Sequence, residues 1–478
     1  MGKEKPGTGL RKPALKLFRG PYGPTLRDGL YLYPWERTLS RVVTPFEEFI
    51  HRQTATGITL ILSTTAALIL ANSSLHSIYL HLIHLPVRVG FGEWSLVMPL
   101  SRWINEGIMT LFFVVVGLEI KRELQVGELA GLRRAFLPIF AALGGMLVPA
   151  MVYRLINMDP DFGRGWGIPV ATDVAFCVAA LVILGRRVPH SLMIFLVTLA
   201  IVDDLGAVLI IAFYYTGHLN FLSLAAAAVV LFLLILLNIG GVRNPLFFGL
   251  GGVLLWFSLL NSGIHATVSG ILVALCVPAR PSYHPETFSI SVRQLMDQFD
   301  KSTGTGPNLL ENKEQFSLLQ SLRHGVRKAE SPLRRIETVL HLPVALLVIP
   351  LFALTNAGIH LSSELIIHLK GHTIANGIFL GLVLGKFLGI TCFSWIAVRL
   401  GLASLPSDMG FRHIVGVGFL GGIGFTMSIF IAELSFGAFP EHLLIAKSAV
   451  ILASGAAGLL GIIWLWIVGR QSCETVCD

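Results

Sequence analysis

A chain of 478 residues that is 54% hydrophobic and only 13% charged, with a mean hydropathy of +0.73, carries more apolar side chains than one soluble core can cover. A soluble enzyme or binding module is excluded, and a polytopic membrane protein is predicted. The formal charge of +8 does not mark a nucleic-acid partner, because the lysines and arginines are spread over the loops between apolar runs, where they orient a chain in a lipid bilayer.

Residues 1–45 form a basic leader (Lys3, Lys5, Arg11, Lys12, Lys16 and Arg19). The first long apolar run begins only near Thr56, so no cleavable signal peptide of the usual length precedes it, and the leader is expected on the cytoplasmic side. About twelve runs then have the length a bilayer requires: 56–72, 104–120, 136–153, 165–184, 192–214, 221–238, 246–260, 264–277, 340–357, 374–398, 414–434 and 443–468. Spans one to eight lie within 46–277 and spans nine to twelve within 338–469, leaving a short tail at 470–478. Basic residues (Lys121, Arg122, Arg133, Arg134, Arg186, Arg187, Arg243, Arg399, Arg412 and Arg470) follow even-numbered spans. That bias predicts both termini inside and a multi-pass protein of the inner, cytoplasmic membrane.

Two loops stand out. Residues 73–102 contain an alternating stretch, 87–96, that suits a short hairpin and could serve a homodimer contact. The segment 278–337 is polar and mixed in charge, with Gly, Thr, Pro and Asn at 302–308. It reads as an inserted cytoplasmic loop, a solvated linker in which 290–299 and 316–326 have amphipathic patterns. Cys177, Cys276 and Cys392 fall in apolar runs, and Cys473 with Cys477 in the tail. None has metal-ligand spacing, so they read as packing residues and a reduced tail.

The polar residues inside the spans are the anomaly. Asp203 and Asp204 interrupt the fifth span ~17 Å along its axis, near the middle of a ~30 Å hydrocarbon layer. A single Asp there costs about 2.5–3.5 kcal/mol, so the pair requires partners, water or a transported cation. In the fourth span, Pro169 lacks a backbone donor and disfavours helix at the residue before it, which predicts unwinding near 171–173 with Thr172 and Asp173 at the break. The eleventh span has a matching weak point at Gly421, Gly422 and Gly424, followed by Thr426 and Ser428. Each weak point is the middle member of a three-span group, third to fifth and tenth to twelfth, as in inverted-repeat transporters.

Lys386 lies ~18 Å into the tenth span and needs a counter-ion, for which Asp203 and Asp204 are both available. The spacing of Gly385 and Gly389 lets another helix approach closely. Broken helices also expose partial charges, positive at N-termini and negative at C-termini, which Asp173 and Lys386 respectively could balance. Carboxylates, hydroxyls and unwound carbonyls form a hard-oxygen site for a small cation. Burial raises a carboxyl pKa and a nearby ammonium lowers it, so protons and a cation can compete for the same oxygens. Competition with alternating exposure is antiport.

Several stretches in order resemble the NhaA sodium/proton antiporters: Gly117-Leu-Glu-Ile-Lys-Arg-Glu-Leu124, Ala171-Thr-Asp-Val-Ala-Phe176, Leu199-Ala-Ile-Val-Asp-Asp-Leu-Gly-Ala207, Ser262-Gly-Ile-His-Ala-Thr267 and Gly422-Ile-Gly-Phe-Thr-Met-Ser-Ile-Phe430. The resemblance covers about 46–468 apart from the insertion. NhaA is itself one of the proteins from which the inverted-repeat rule is drawn, so rule and resemblance are not independent. The resemblance implies an all-α fold of about twelve transmembrane helices with inverted repeats and two interrupted helices. It implies that Asp204 is the central ion- and proton-binding carboxylate, that Asp203 pairs with Lys386, and that Thr172 and Asp173 stand where the broken helices cross. It further implies a pH-responsive network of Glu119, Lys121, Arg122, Glu123, Glu337 and His341, with His265 at a position linked to pH response. Glu106 departs from the family, which usually has Asp there.

The expected activity is electrogenic export of sodium, and of lithium, against entering protons, with sodium held at Asp203 and Asp204. It would regulate intracellular pH and sodium with no cofactor. An intramembrane aspartyl protease also uses two acids in spans, but its Gly-x-Gly-Asp signature is missing. A retinal pump with Lys386 as Schiff base would need fewer spans and an aromatic pocket.

Overall fold

The computed structural model describes residues 25–27, 30–32, 54–91, 94–217, 219–280, 285–302, 313–360, 369 and 371–477. The chain divides into two units at Ala55. Of the basic leader, the described residues contain only two short antiparallel strands, β1 (Thr25–Arg27) and β2 (Leu30–Leu32); the rest of that expectation lies outside them.

The second unit is a helical bundle. It opens with α1 (Thr54–Ala71), which turns through 117° into α2 (His76–Ile83). The hairpin expected at 87–96 is β3 (Pro86–Phe91) paired with β4 (Trp94–Pro99), Val87 opposite Met98 and Val89 opposite Leu96. The indole of Trp103 donates to the Val87 carbonyl at 3.1 Å, tying the hairpin to the next helix. That helix, α3 (Leu100–Val126), has a widened turn at Trp103–Ile108. A wide turn releases carbonyls from the ladder, and that of Glu106 accepts from the Trp256 indole at 2.7 Å and the Thr110 hydroxyl at 2.6 Å.

The next elements are α4 (Leu132–Ile156), the bent pair α5 (Pro160–Val170) and α6 (Val174–Leu184), and α7 (His190–Tyr214). Then come α8 (Phe221–Ile239), α9 (Pro245–Leu260) and α10 (Val268–Cys276). The inserted segment is more ordered than a linker: α11 (Pro285–Lys301) and α12 (Lys313–Ala329) pack together. Their apolar residues recur at helical spacing, and Phe288 sits over Gly325. The ninth span, α13 (Pro332–Asn356), begins inside the expected loop. Ser331 caps it by accepting from Arg334 N at 3.2 Å, and Leu333 and Glu337 are already buried. The chain ends with α14 (Thr373–Arg399), the bent pair α15 (Phe411–Leu420) and α16 (Phe425–Phe436), and α17 (Pro440–Cys477).

Ten of the expected spans fall on single helices, and the fourth and eleventh on the bent pairs α5–α6 and α15–α16. Among the described residues seven single helices, or up to ten elements with the three bent pairs, are long and apolar enough to cross a membrane. The seventh and eighth spans, α9 and α10, are shorter at 16 and 9 residues.

The main core is built by α3 to α7 and α13 to α17 with Leu60 and Ala67 of α1 and Ile271 of α10, while α8, α9 and α10 enclose a smaller apolar cluster with Leu118 and Leu333. Its tightest contact is α4 against α14, where Gly144 and Gly389 face each other so closely that a Cβ on either would overlap the opposing carbonyl. Gly385 lies against Pro149 in the same groove. Backbone approach of this kind needs residues without side chains, and it sets the depth at which Lys386 enters the core. Gly389→Leu is expected to lower stability by about 1–3 kcal/mol or more, read as a lower melting temperature of the detergent-purified protein; an unchanged melting temperature would contradict this packing.

Candidate functional site

The bent pairs α5–α6 and α15–α16 break at 171–173 and at 421–424, with bends of 42° and 45°. The stretch Arg164–Val170 before the first break is wound more tightly than an α-helix and contains Pro169. The second break consists of Gly421, Gly422, Ile423 and Gly424. The breaks meet: Asp173 N donates to the Ile423 carbonyl at 2.6 Å.

Asp173 caps α6, its Oδ1 accepting from Phe176 N at 3.1 Å. Its Oδ2 accepts from Thr426 N at 3.0 Å and from the Thr426 hydroxyl at 2.6 Å, at the start of α16. One carboxylate therefore faces two helix N-termini, each equivalent to roughly half a positive charge. Gly424, the residue before α16, has no side chain with which to cap it, and Asp173 serves in its place.

The C-terminal side of the crossing holds the remaining groups. Lys386 is fully buried; its ammonium pairs with Asp203 Oδ2 and donates to Thr172 Oγ1 at 2.8 Å. Thr172 Oγ1 lies 2.6 Å from Asp203 Oδ2 and 2.9 Å from the Gly421 carbonyl. One hydroxyl proton thus has two acceptors. Asp203, not Asp204, is the counter-ion of Lys386. Asp204 is equally buried, and its Oδ1 has no hydrogen-bond partner among the described residues. Consecutive helix positions point about 100° apart, so Asp204 is turned away from Lys386. It shares a face of α7 with Val197 and Ile201, which pack against α3.

A cavity of about 430 Å³ lies at the start of α7, lined by Glu123, Glu128, His190, Val197 and Thr198 among others. Thr198 stands six residues before Asp204, ~9 Å along the helix.

The sequence of this chain matches the family model described as Na+/H+ antiporter 1 over residues 47–465. The chain belongs to the NhaA family of Na+/H+ antiporters. Similar relatives include the Na+/H+ antiporter NhaA 1 of Saccharophagus degradans, 46% identical over 91% of this chain and 94% of that protein. The NhaA antiporter of Sulfurimonas denitrificans is 45% identical over 92% and 99% of the two chains, and that of Syntrophobacter fumaroxidans 46% over 92% and 94%. With its apolar helices, this NhaA family member is a multi-pass membrane protein of a transporter family.

In this NhaA chain the charged residues at the end of α3 divide into two groups. Arg122 forms ion pairs with Glu337 and, at 3.2 Å, with Glu123, while Arg334 reaches Glu337 at 3.5 Å. Lys121 points elsewhere, donating to the carbonyls of Leu275 (2.7 Å) and Val277 (2.5 Å) at the C-terminus of α10. A cation there complements the helix dipole. Glu119 and His341 are half-buried, each one turn from a member of the Arg122 group: Glu119 from Glu123, His341 from Glu337. His265 stands apart. Its Nε2 lies 2.9 Å from the Tyr215 carbonyl, at the far end of α7, a helix of 25 residues and about 37 Å. Glu106 pairs with Arg102 at 2.9 Å.

Cys177 is a contact that spacing and composition missed. It is fully buried, yet its Sγ donates to the Leu420 carbonyl at 3.0 Å. Its sequence signal, a thiol one turn beyond Asp173 in a half-helix, resembles any small core residue.

Replacing Lys386 by Met is expected to destabilise the protein by about 3–5 kcal/mol, because Asp203 keeps a buried charge without its partner. Adding Asp203→Asn should recover much of that loss in thermal unfolding, whereas additive losses would contradict the pairing.

Proposed function

We propose that this chain exchanges intracellular sodium, and lithium, for external protons, with Asp204 as the central ion- and proton-binding group. The observation that carries this reading is the arrangement of charges at the crossing. Asp173 is balanced by two helix N-termini and Asp203 by Lys386, but Asp204 forms no ion pair among the described residues, and its Oδ1 has no hydrogen-bond partner there. An isolated buried carboxylate is costly, so a proton or a cation must neutralise it.

A sodium ion entering from the cavity at the start of α7 would bind Asp204 and the free Oδ1 of Asp203, with Thr172 as a further oxygen, and displace protons toward the side it came from. The two three-span groups, α4 to α7 and α14 to α17, then rock against the rest and expose the cation to the other side. External protons replace it. Because the cation takes Asp203 from Lys386, one proton leaves Asp204 and a second leaves the ammonium freed from that pair; two protons against one monovalent cation move net charge, so the cycle is electrogenic.

The same reading places the protein in the inner membrane with both termini cytoplasmic, from the positive-inside bias. The Arg122–Glu337–Glu123 group, with Glu119, Lys121 and His341 on the adjoining turns, is then the pH-responsive element that regulates intracellular pH and sodium, and His265 acts at the other end of the bundle. The hairpin β3–β4, which exposes Val89 and Val97, is the surface for a homodimer.

The test is collapse of a preformed pH gradient by sodium in everted vesicles, scanned across pH. Wild-type protein should release the gradient and Asp204→Asn should not, although both insert; full turnover in Asp204→Asn would overturn the assignment. Glu337→Gln, which removes the acid shared by Arg122 and Arg334, should shift the pH at which exchange switches on and leave the maximal rate little changed, since Glu337 touches neither Asp203 nor Asp204. An unmoved pH profile would remove that group from the regulatory reading.

A further inference from the structure

The first break sends three donors into the end of α15. Asp173 N binds the Ile423 carbonyl at 2.6 Å, the Thr172 hydroxyl lies 2.9 Å from the Gly421 carbonyl, and Cys177 Sγ lies 3.0 Å from the Leu420 carbonyl. The second break answers with one: Ser428 Oγ donates to the Ile168 carbonyl near the end of α5 at 2.7 Å. Cys177 and Ser428 are both the fourth residue of their half-helices, α6 and α16. Each clasps the carbonyl end of the opposite broken helix. Helix C-termini leave carbonyls unpaired, and at this depth side chains must take over the role of water.

The clasp bears on the ion site through Thr172. While its proton goes to Asp203, Thr172 offers no hydroxyl donor to Gly421. When a cation takes the Asp203 oxygens, the hydroxyl can turn its proton to the Gly421 carbonyl and direct a lone pair at the cation. That turn needs the Gly421 carbonyl held in place, and the carbonyl of the neighbouring peptide unit, Leu420, is held from two sides, by Ile423 N at 2.9 Å and by the thiol.

We propose that Cys177 is a positioning residue for cation binding: by fixing the Leu420 carbonyl it keeps the adjacent Gly421 carbonyl as the alternative acceptor for the Thr172 proton. The proposal rests on the exchange reading given above. Loss of the thiol bond weakens the cation-bound arrangement without removing any ion ligand.

Sodium-dependent exchange by wild type, Cys177→Ala and Cys177→Ser, reconstituted in liposomes, tests this. Removing one neutral hydrogen bond is worth a factor of roughly two to ten, so Cys177→Ala should raise the apparent KM for sodium by about that much with little change at saturating sodium. Cys177→Ser, which keeps a donor, should remain near wild type. Alanine and serine are of similar size, so a cysteine that merely fills space would leave the two variants alike, and that result would overturn the proposal. A second readout is the infrared S–H stretch of Cys177 in a protein whose other cysteines are replaced. It should lie at the low frequency of a thiol bonded to a carbonyl and shift when sodium is added; a free-thiol band indifferent to sodium would overturn the proposal. Should wild-type protein fail to exchange sodium, the exchange reading falls by itself, and the S–H band decides the contact independently.

Discussion

Four helix ends terminate in the middle of this molecule, and the need to neutralise them organises everything around them. Each end leaves backbone groups unpaired and a partial charge exposed, in a place where water is not available to compensate. The N-terminal ends of α6 and α16 share Asp173. The C-terminal ends of α5 and α15 receive Ser428, Thr172 and Cys177. Because each break is satisfied by the other, neither could persist alone, and the two broken helices form one body.

That body leaves a specific charge imbalance beside it. The close approach of α4 and α14 at Gly144 and Gly389 carries Lys386 to Asp203, and the helical rotation between consecutive residues prevents it from serving Asp204 as well. A second lysine or a histidine facing Asp204 would give a stable, inert core. None is seen among the described contacts, and two adjacent aspartates on one helix therefore differ in partner.

The charged group at the end of α3 shows the same physics under milder conditions. Arg122 reaches two carboxylate oxygens, one each of Glu123 and Glu337, and Arg334 the other oxygen of Glu337; Glu337 is drawn into the core because α13 starts at Pro332 and not in the middle of a linker. Lys121, one residue from Arg122, satisfies the end of α10 instead. Adjacent residues on a helix again diverge in partner, so a cluster that is contiguous in the chain is split in space.

Much of this was legible in the chain. The placing of the apolar helices, the two breaks at Pro169 and at Gly421 to Gly424, and the position of Asp203, Asp204 and Lys386 inside apolar helices follow from hydropathy, proline and glycine chemistry and the rise per residue, all of which are local. The helices of the insertion were only half legible, since an amphipathic pattern does not reveal whether its apolar face finds a partner, here Phe288 over Gly325. Which aspartate Lys386 meets, that Asp173 caps two helices at once, that His265 stands a helix length from the Arg122 group, and that Cys177 binds a carbonyl were decided by tertiary structure alone. Those facts depend on rotation about helix axes and on contacts between residues more than 200 positions apart, as between Thr172 and Lys386, and a one-dimensional pattern contains neither.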